Sequence, residues 1–181
     1  MEIDADISKA ARGDHHAFGR IVEAYQGRIF AYLGRMGLDR ATAEDIAQDT
    51  FLRLWRNASQ FNPRHSSLTT WILTIARNLA LTHLSRAARR IEVTDDAGSA
   101  EAASDLPQPV EALLAKQRRQ RLHAALNRLS PADRSLVAAS YMEDLDLKAI
   151  ARVEGSTSGA IKVRLHRARL KLRQILEEGD G

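Results

Sequence analysis

The stretch Asp146-Leu147-Lys148-Ala149-Ile150-Ala151-Arg152-Val153-Glu154-Gly155-Ser156-Thr157-Ser158-Gly159-Ala160-Ile161-Lys162-Val163-Arg164-Leu165-His166-Arg167-Ala168-Arg169 decides the fold reading. From Leu147 the apolar spacing is that of a short helix stopped by Gly155, and the hydroxyls of residues 156–158 can cap a second helix running from Gly159 to Leu176. At about 100° per residue, Ile161, Leu165, Ala168 and Leu172 share one narrow face, which is expected to pack inward. Lys162, His166, Arg169 and Arg173 then project from the flank, with Val163 and Arg167 further round. Residues 162–173 contain six Lys and Arg and no acid, a density that suits phosphate. Short helix, glycine turn and longer basic helix together predict a DNA-binding helix-turn-helix, whose second helix reads bases through its N-terminal part. Lys162, Val163, His166 and Arg167 are therefore expected near base edges, and Arg164, Arg169, Lys171 and Arg173 near phosphates or at the surface. A solvated basic helix in an ordinary bundle would explain the charge, but does not need the glycine turn and cap upstream.

Upstream of this motif, Ser130-Pro131 has the N-cap-then-proline order that starts a helix through about Met142, and Val110 to Leu129 reads as helix. Ile91 to Pro109 is different in kind. It has no basic residue and little apolar periodicity, which predicts a flexible acidic linker. Residues 1–90 carry 13 basic and 9 acidic groups, 91–109 none and 5, and 110–181 carry 14 and 9. Two basic modules, 1–90 and 110–181, thus flank an acidic connector, 91–109, a pattern hidden in the net charge of +4.

In the first module, residues 7–35 read as one helix with Ala17, Phe18, Ile21, Val22, Tyr25, Ile29, Phe30 and Leu33 on its apolar stripe. After the Gly34 to Asp39 turn, Thr42 is a candidate N-cap for a second helix from Ala43 to Arg56. Ala43, Ile46, Ala47, Thr50, Phe51 and Leu54 fall on its inner arc. Its outer face carries Asp45, Gln48, Asp49 and Leu52, with Trp55 and Arg56 close by; large apolar groups among acids suggest a protein-binding surface, although a helix buried on two sides would look the same. The loop Gln60-Phe61-Asn62-Pro63-Arg64-His65-Ser66-Ser67 mixes a ring, an amide, a cation and hydroxyls, a set that suits an unstacked base but also any polar loop. A third helix from Trp71 to about Arg90 is expected to turn Trp71, Ile72, Ile75, Leu79 and Leu84 mostly inward. Its basic end, Arg86, Arg89 and Arg90, could hold phosphates or simply favour a helix C-terminus. Alternating β-branched runs are nearly absent, so the fold is expected to be all-α, two small helical domains on a tether.

Composition excludes several classes. The chain has no cysteine, hence no disulfide or thiolate metal site, and the six histidines are scattered without metal-ligand spacing. No phosphate loop or nucleophile motif occurs, so no catalytic residue, metal or cofactor is expected. The acidic start Met1-Glu2-Ile3-Asp4 does not resemble a signal peptide, and no run approaches the roughly 20 apolar residues of a membrane helix, so a cytoplasmic protein with no membrane insertion is expected.

Three motifs carry a resemblance. Ala43-Glu44-Asp45-Ile46-Ala47-Gln48-Asp49-Thr50-Phe51-Leu52-Arg53-Leu54-Trp55 resembles region 2.2 of the bacterial RNA polymerase sigma-70 family, in its extracytoplasmic-function (ECF) subfamily. Thr70-Trp71-Ile72-Leu73-Thr74-Ile75-Ala76-Arg77-Asn78 is similar to regions 2.3 to 2.4, and residues 159–169 to the recognition helix of region 4.2. The resemblance implies that Asp45, Gln48, Asp49 and Leu52 grip the clamp of the polymerase's largest subunit. It implies that Phe61, Asn62, Arg64, His65 and Ser66, with Arg77 and Asn78, serve the −10 promoter element, where a flipped base is captured. Region 4 would read the −35 duplex with Lys162, Val163, Arg164, His166 and Arg167 and touch the polymerase flap. The linker would thread the core enzyme near the RNA path, and an anti-sigma factor is the family's usual regulator.

Some positions depart from the family pattern. Thr82 and Ser85 stand where an Asp and an Arg are common, Ala149 where a Glu is, Glu154 where an apolar residue is, Ala160 where a Thr is, and Val163 where a Ser is. At Val163 a hydroxyl hydrogen bond is lost and contact with a thymine methyl becomes possible. A free-standing regulator with an effector-binding N-terminal domain is the rival reading; it explains the helix-turn-helix but not the outer face of the second helix or the acidic tether.

Overall fold

The computed structural model describes residues 2–93, 110–142 and 145–178, and among them the only regular elements are helices. The helix expected over 7–35 is two helices, α1 (Glu2–Ala10) and α2 (His15–Arg35). Gly13, at φ +92°, makes the left-handed turn that closes α1, and the Asp14 carboxylate accepts the Ala17 N–H at 3.0 Å to cap α2. α1 then folds back on α2, burying Ile7 and Ala10, with the Arg20 Nε donating to Asp6 at 2.9 Å.

Helix α3 spans Arg40–Arg56, and its N-cap is Asp39, not Thr42. Thr42 plays the complementary part: its N–H and hydroxyl both donate to the Asp39 carboxylate, at 2.9 and 2.7 Å. A 3-10 turn, Ala58–Gln60, follows, and then α4 (Leu68–Val93), which starts before Trp71 because Ser67 Oγ accepts the Thr70 N–H at 3.2 Å. It also runs three residues into the stretch read as linker; residues 94–109 of that linker lie outside the described residues.

α5 (Val110–Asn127) and α6 (Pro131–Ser140) meet at Ser130, whose hydroxyl accepts the Asp133 N–H at 3.2 Å. α6 ends short of Met142. α7 (Leu147–Val153) is capped by Asp146, which accepts the Ala149 N–H at 2.7 Å. Gly155, at φ +61°, reverses the chain, and Thr157 Oγ1 accepts from Ala160 N at 3.3 Å as α8 (Ser158–Glu178) begins.

The inner arc of α3 is buried as its spacing predicts, from Ala43 to Leu54. On α4 the expected residues face inward: Ile72 is buried and Trp71, Ile75, Leu79 and Leu84, though half-buried, pack against the core, while Leu73, Ala76 and Ala80 are fully enclosed as well. The reason lies across the molecule: α4 also packs against α6 and α7, and α2 against α6. One apolar cluster therefore runs from Ile21, Leu33 and Leu54 through Ile72 and Leu73 to Leu136, Ile150, Val153 and Ile161. A smaller one under α8 joins Leu126, Leu129, Val137, Ala168 and Ile175.

Candidate nucleic-acid interface

α8 is held by its apolar side. Ile161 and Ala168 are buried and Leu165 and Leu172 half-buried, which matches the predicted narrow face and extends it to Ile175. Lys162, Val163, His166 and Arg167 are all exposed, Val163 by 51%. A branched apolar side chain so open to water between cations is a poor use of a core residue and a reasonable one for a groove contact. Arg164 is placed differently. It leans inward, its guanidinium donating to Asp133 on α6 at 3.4 Å, so it anchors α8 to its neighbour. Arg169 donates to Ser140 Oγ at 3.3 Å, and Arg173 pairs with Glu177 along the helix at 2.9 Å.

In the 60–67 loop, Phe61 stacks on Trp71 with ring centroids 5.3 Å apart. Asn62 Oδ1 accepts the Arg64 N–H at 3.0 Å and its carbonyl accepts from His65 N at 3.0 Å, so its side chain builds the turn. Asn62, Arg64 and His65 are exposed and Ser66 is half-buried. Thus the loop is shaped by Asn62 and floored by a two-ring stack, with Arg64 and His65 free to meet a ligand.

Asp45, Gln48, Asp49 and Leu52 are exposed together on α3, Leu52 by 51%. Trp55 does not join them: its ring stacks on His15 at 4.7 Å and meets Phe18 edge-on at 5.0 Å, tying α3 to the start of α2. The apolar part of that face is therefore Leu52. A groove between α3 and α4 lined by Asp45, Asp49, Arg53, Asn78, Thr82 and His83 brings two of the expected polymerase contacts beside Asn78.

Arg77, like Arg164, is turned away from solvent among the expected DNA contacts, and more completely. Its side chain is 14% exposed and donates at 3.1 Å to Glu154, whose side chain is wholly buried. Glu154 also accepts a hydrogen bond from the Ser135 hydroxyl, and that oxygen lies 2.8 Å from the Tyr32 phenol oxygen. Burial raises the Tyr32 phenol pKa well above its usual value, and because the Ser135 proton is given to Glu154, the Ser135 oxygen accepts a hydrogen bond from the phenol. Sequence reasoning missed this cluster. Glu154 stood out as a charge at an apolar position, but nothing local announces that a surface-type residue faces another helix from the far half of the chain. Among the described residues no three potential metal ligands cluster, and no helix is long and apolar enough to cross a membrane.

These features define an all-helical chain with an outward-facing recognition helix in one half and an exposed acidic-and-leucine helix face in the other. Comparison with known proteins gives that class its family. The model for sigma-70 region 2 matches residues 21–90 and the model for sigma-70 region 4 matches residues 119–172. The ECF RNA polymerase sigma factor BldN of Streptomyces coelicolor is 31% identical over 176 residues, 95% of this chain and 65% of BldN. The ECF RNA polymerase sigma factor RpoE of Cereibacter sphaeroides is 32% identical over 161 residues, 89% of this chain and 87% of RpoE. The chain thus spans somewhat less than two thirds of the first relative and most of the second. In fold it is similar to CnrH, solved in complex with the cytosolic domain of CnrY, with a TM-score of 0.73 at 21% identity over 98% of this chain and 99% of that one. The chain belongs to the ECF sigma factors of the sigma-70 family.

Proposed function

We propose that this chain is a promoter-specificity subunit of bacterial RNA polymerase, with no chemistry of its own, acting in the cytoplasm and open to control by an anti-sigma factor. The observation that carries the reading is the pairing, within one chain, of an α8 that exposes Lys162, Val163, His166 and Arg167 with an α3 that exposes Asp45, Gln48, Asp49 and Leu52. Residues 1–90 then form the core-binding and −10-reading domain, 91–109 the connector and 110–181 the −35-reading domain. α8 enters the −35 major groove, with Lys162, His166 and Arg167 toward base edges or phosphates and Val163 against a thymine methyl. Arg164 supports that helix from behind.

The 60–67 loop takes a base flipped from the −10 element. Extruding a base costs a few kcal/mol, which stacking of about 1–3 kcal/mol per base offsets, with Phe61, Arg64, His65 and Ser66 offering ring, charge and hydroxyl. Asn78, exposed in the groove between α3 and α4, adds a further contact to the DNA. The acid-and-leucine face of α3 docks on the polymerase clamp, which supplies the stable grip and all catalysis, and α5–α8 touch the flap. Asp49→Lys tests this directly: it keeps helix content unchanged, because the site is exposed, and abolishes promoter-directed run-off transcription with core polymerase. Full activity of that variant would remove the α3 assignment, and run-off by the unaltered chain without promoter selection would remove the whole reading.

A further inference from the structure

Besides the apolar cluster they share, the two halves of the chain are joined by a buried polar chain whose two ends come from the first half and whose middle comes from the second. Tyr32 on α2 donates to Ser135 on α6, Ser135 donates to Glu154 at the end of α7, and Arg77 on α4 donates to the other Glu154 oxygen. Beside it, Arg134 on α6 donates to Asn127 Oδ1 at 2.7 Å and to the Met36 carbonyl, at the end of α2, at 3.4 Å. A wholly buried carboxylate is tolerable only while its partners are in place. Those partners come from both halves, so Glu154 is satisfied in this closed arrangement and would be satisfied by water once the halves part. The closed state is also imperfect: Arg77 Nε and Arg134 Nε are buried with no hydrogen-bond partner among the described residues. Such a contact holds without being permanent.

The closed arrangement is incompatible with reading two promoter elements at once. Elements named −10 and −35 lie about 25 base pairs, or roughly 85 Å, apart along a duplex. A packed chain of this length is only about 40 Å across. Closure also occupies Arg77, which then cannot reach DNA.

We propose that Tyr32, Ser135, Glu154 and Arg77 form a latch by which the chain, without any partner, holds itself in a closed state unable to engage a promoter. The latch itself stands on the contacts above; its inhibitory role rests on the sigma-factor reading. Because the chain has no cysteine, Glu23→Cys on α2 and Gln174→Cys on α8, both exposed, allow a donor and an acceptor dye to be attached to the full chain. The otherwise unaltered chain is expected to show high energy transfer. Glu154→Gln, which leaves Arg77 facing a neutral amide, moves most molecules to low transfer with helix content retained. Tyr32→Phe, which keeps the ring and removes one link, moves fewer in the same direction and decides the matter should Glu154→Gln lose helix. Low transfer in the unaltered chain, or unchanged transfer in folded variants, overturns the latch.

With core polymerase and a two-element promoter at limiting chain, Glu154→Gln gives severalfold more transcript, since apparent affinity scales with the open fraction. A variant that opens but transcribes no better overturns the inhibitory role. Opening by Glu154→Gln in a chain that never directs polymerase keeps the latch and overturns the sigma reading.

Discussion

Val163 shows how much a single exposed position can decide. Its side chain packs against little, so Val163→Ser should leave the melting temperature nearly unchanged, within about 0.5 kcal/mol of stability. On the proposed −35 reading, its effect falls on DNA. Loss of the proposed methyl contact should weaken discrimination at one base pair of the −35 element by about 0.8 kcal/mol, measurable by transcription from a promoter series varied through that element. An unchanged preference at every position would place Val163 outside the groove. Arg164, two-thirds enclosed and bonded to Asp133, teaches the opposite lesson. Two residues from Lys162 and three from Arg167, and alike to them in chemistry, it is turned toward α6 by helical rotation, whereas those two are exposed.

At the scale of the element, local chemistry sets where helices begin. Asp39, the N-cap of α3, is held below the usual carboxylate pKa chiefly by the Thr42 N–H and then by the Thr42 hydroxyl. A carboxyl whose folded pKa is depressed contributes stability that is present above its unfolded value of about 3.9 and is lost as pH falls through the folded value. Asp39→Asn, which can still accept from Thr42 N–H, should therefore be close to neutral at pH 7 and flatten the acid side of the stability profile. Asp39→Ala should cost about 1 kcal/mol at pH 7. Thermal melts between pH 3 and 7 separate the two; equal losses at pH 7 would mean the cap is not formed. The same local rules were readable in advance for Ser130-Pro131 and for the Gly155 turn. They were missed at Gly13-Asp14, where an apolar stripe continuing across the break hid a glycine and a capping acid, and at Thr42, where a hydroxyl three residues after an Asp looked like the cap it in fact serves.

At the scale of the whole molecule, Gly37 sits where Asn127 and Arg134 of the second half press against the first. A Cβ there would sit 2.6 Å from Asn127 Oδ1 and 3.3 Å from Arg134 Nη1, and the residue's φ is +81°. Gly37→Ala should therefore destabilise the protein by more than about 1 kcal/mol and enlarge it hydrodynamically, as Asn127 and Arg134 are pushed off. A smaller Tm shift with an unchanged sedimentation coefficient would show that the contact yields without opening.

Sequence by itself determined most of the helices, the cap at Ser130, the stop at Gly155, the inner arc of α3 and the narrow face of α8, and the family, because periodicity and capping are properties of a few neighbouring residues. Only the tertiary structure decided which faces of α4 are buried, that Trp55 packs on His15, and that Arg77 meets Glu154. Those outcomes depend on residues up to a hundred positions apart in sequence being brought to one place, and a polar side chain carries the same local signature whether it ends in water or against a partner. The helix-turn-helix was legible from one end of the chain; what restrains it came from the other.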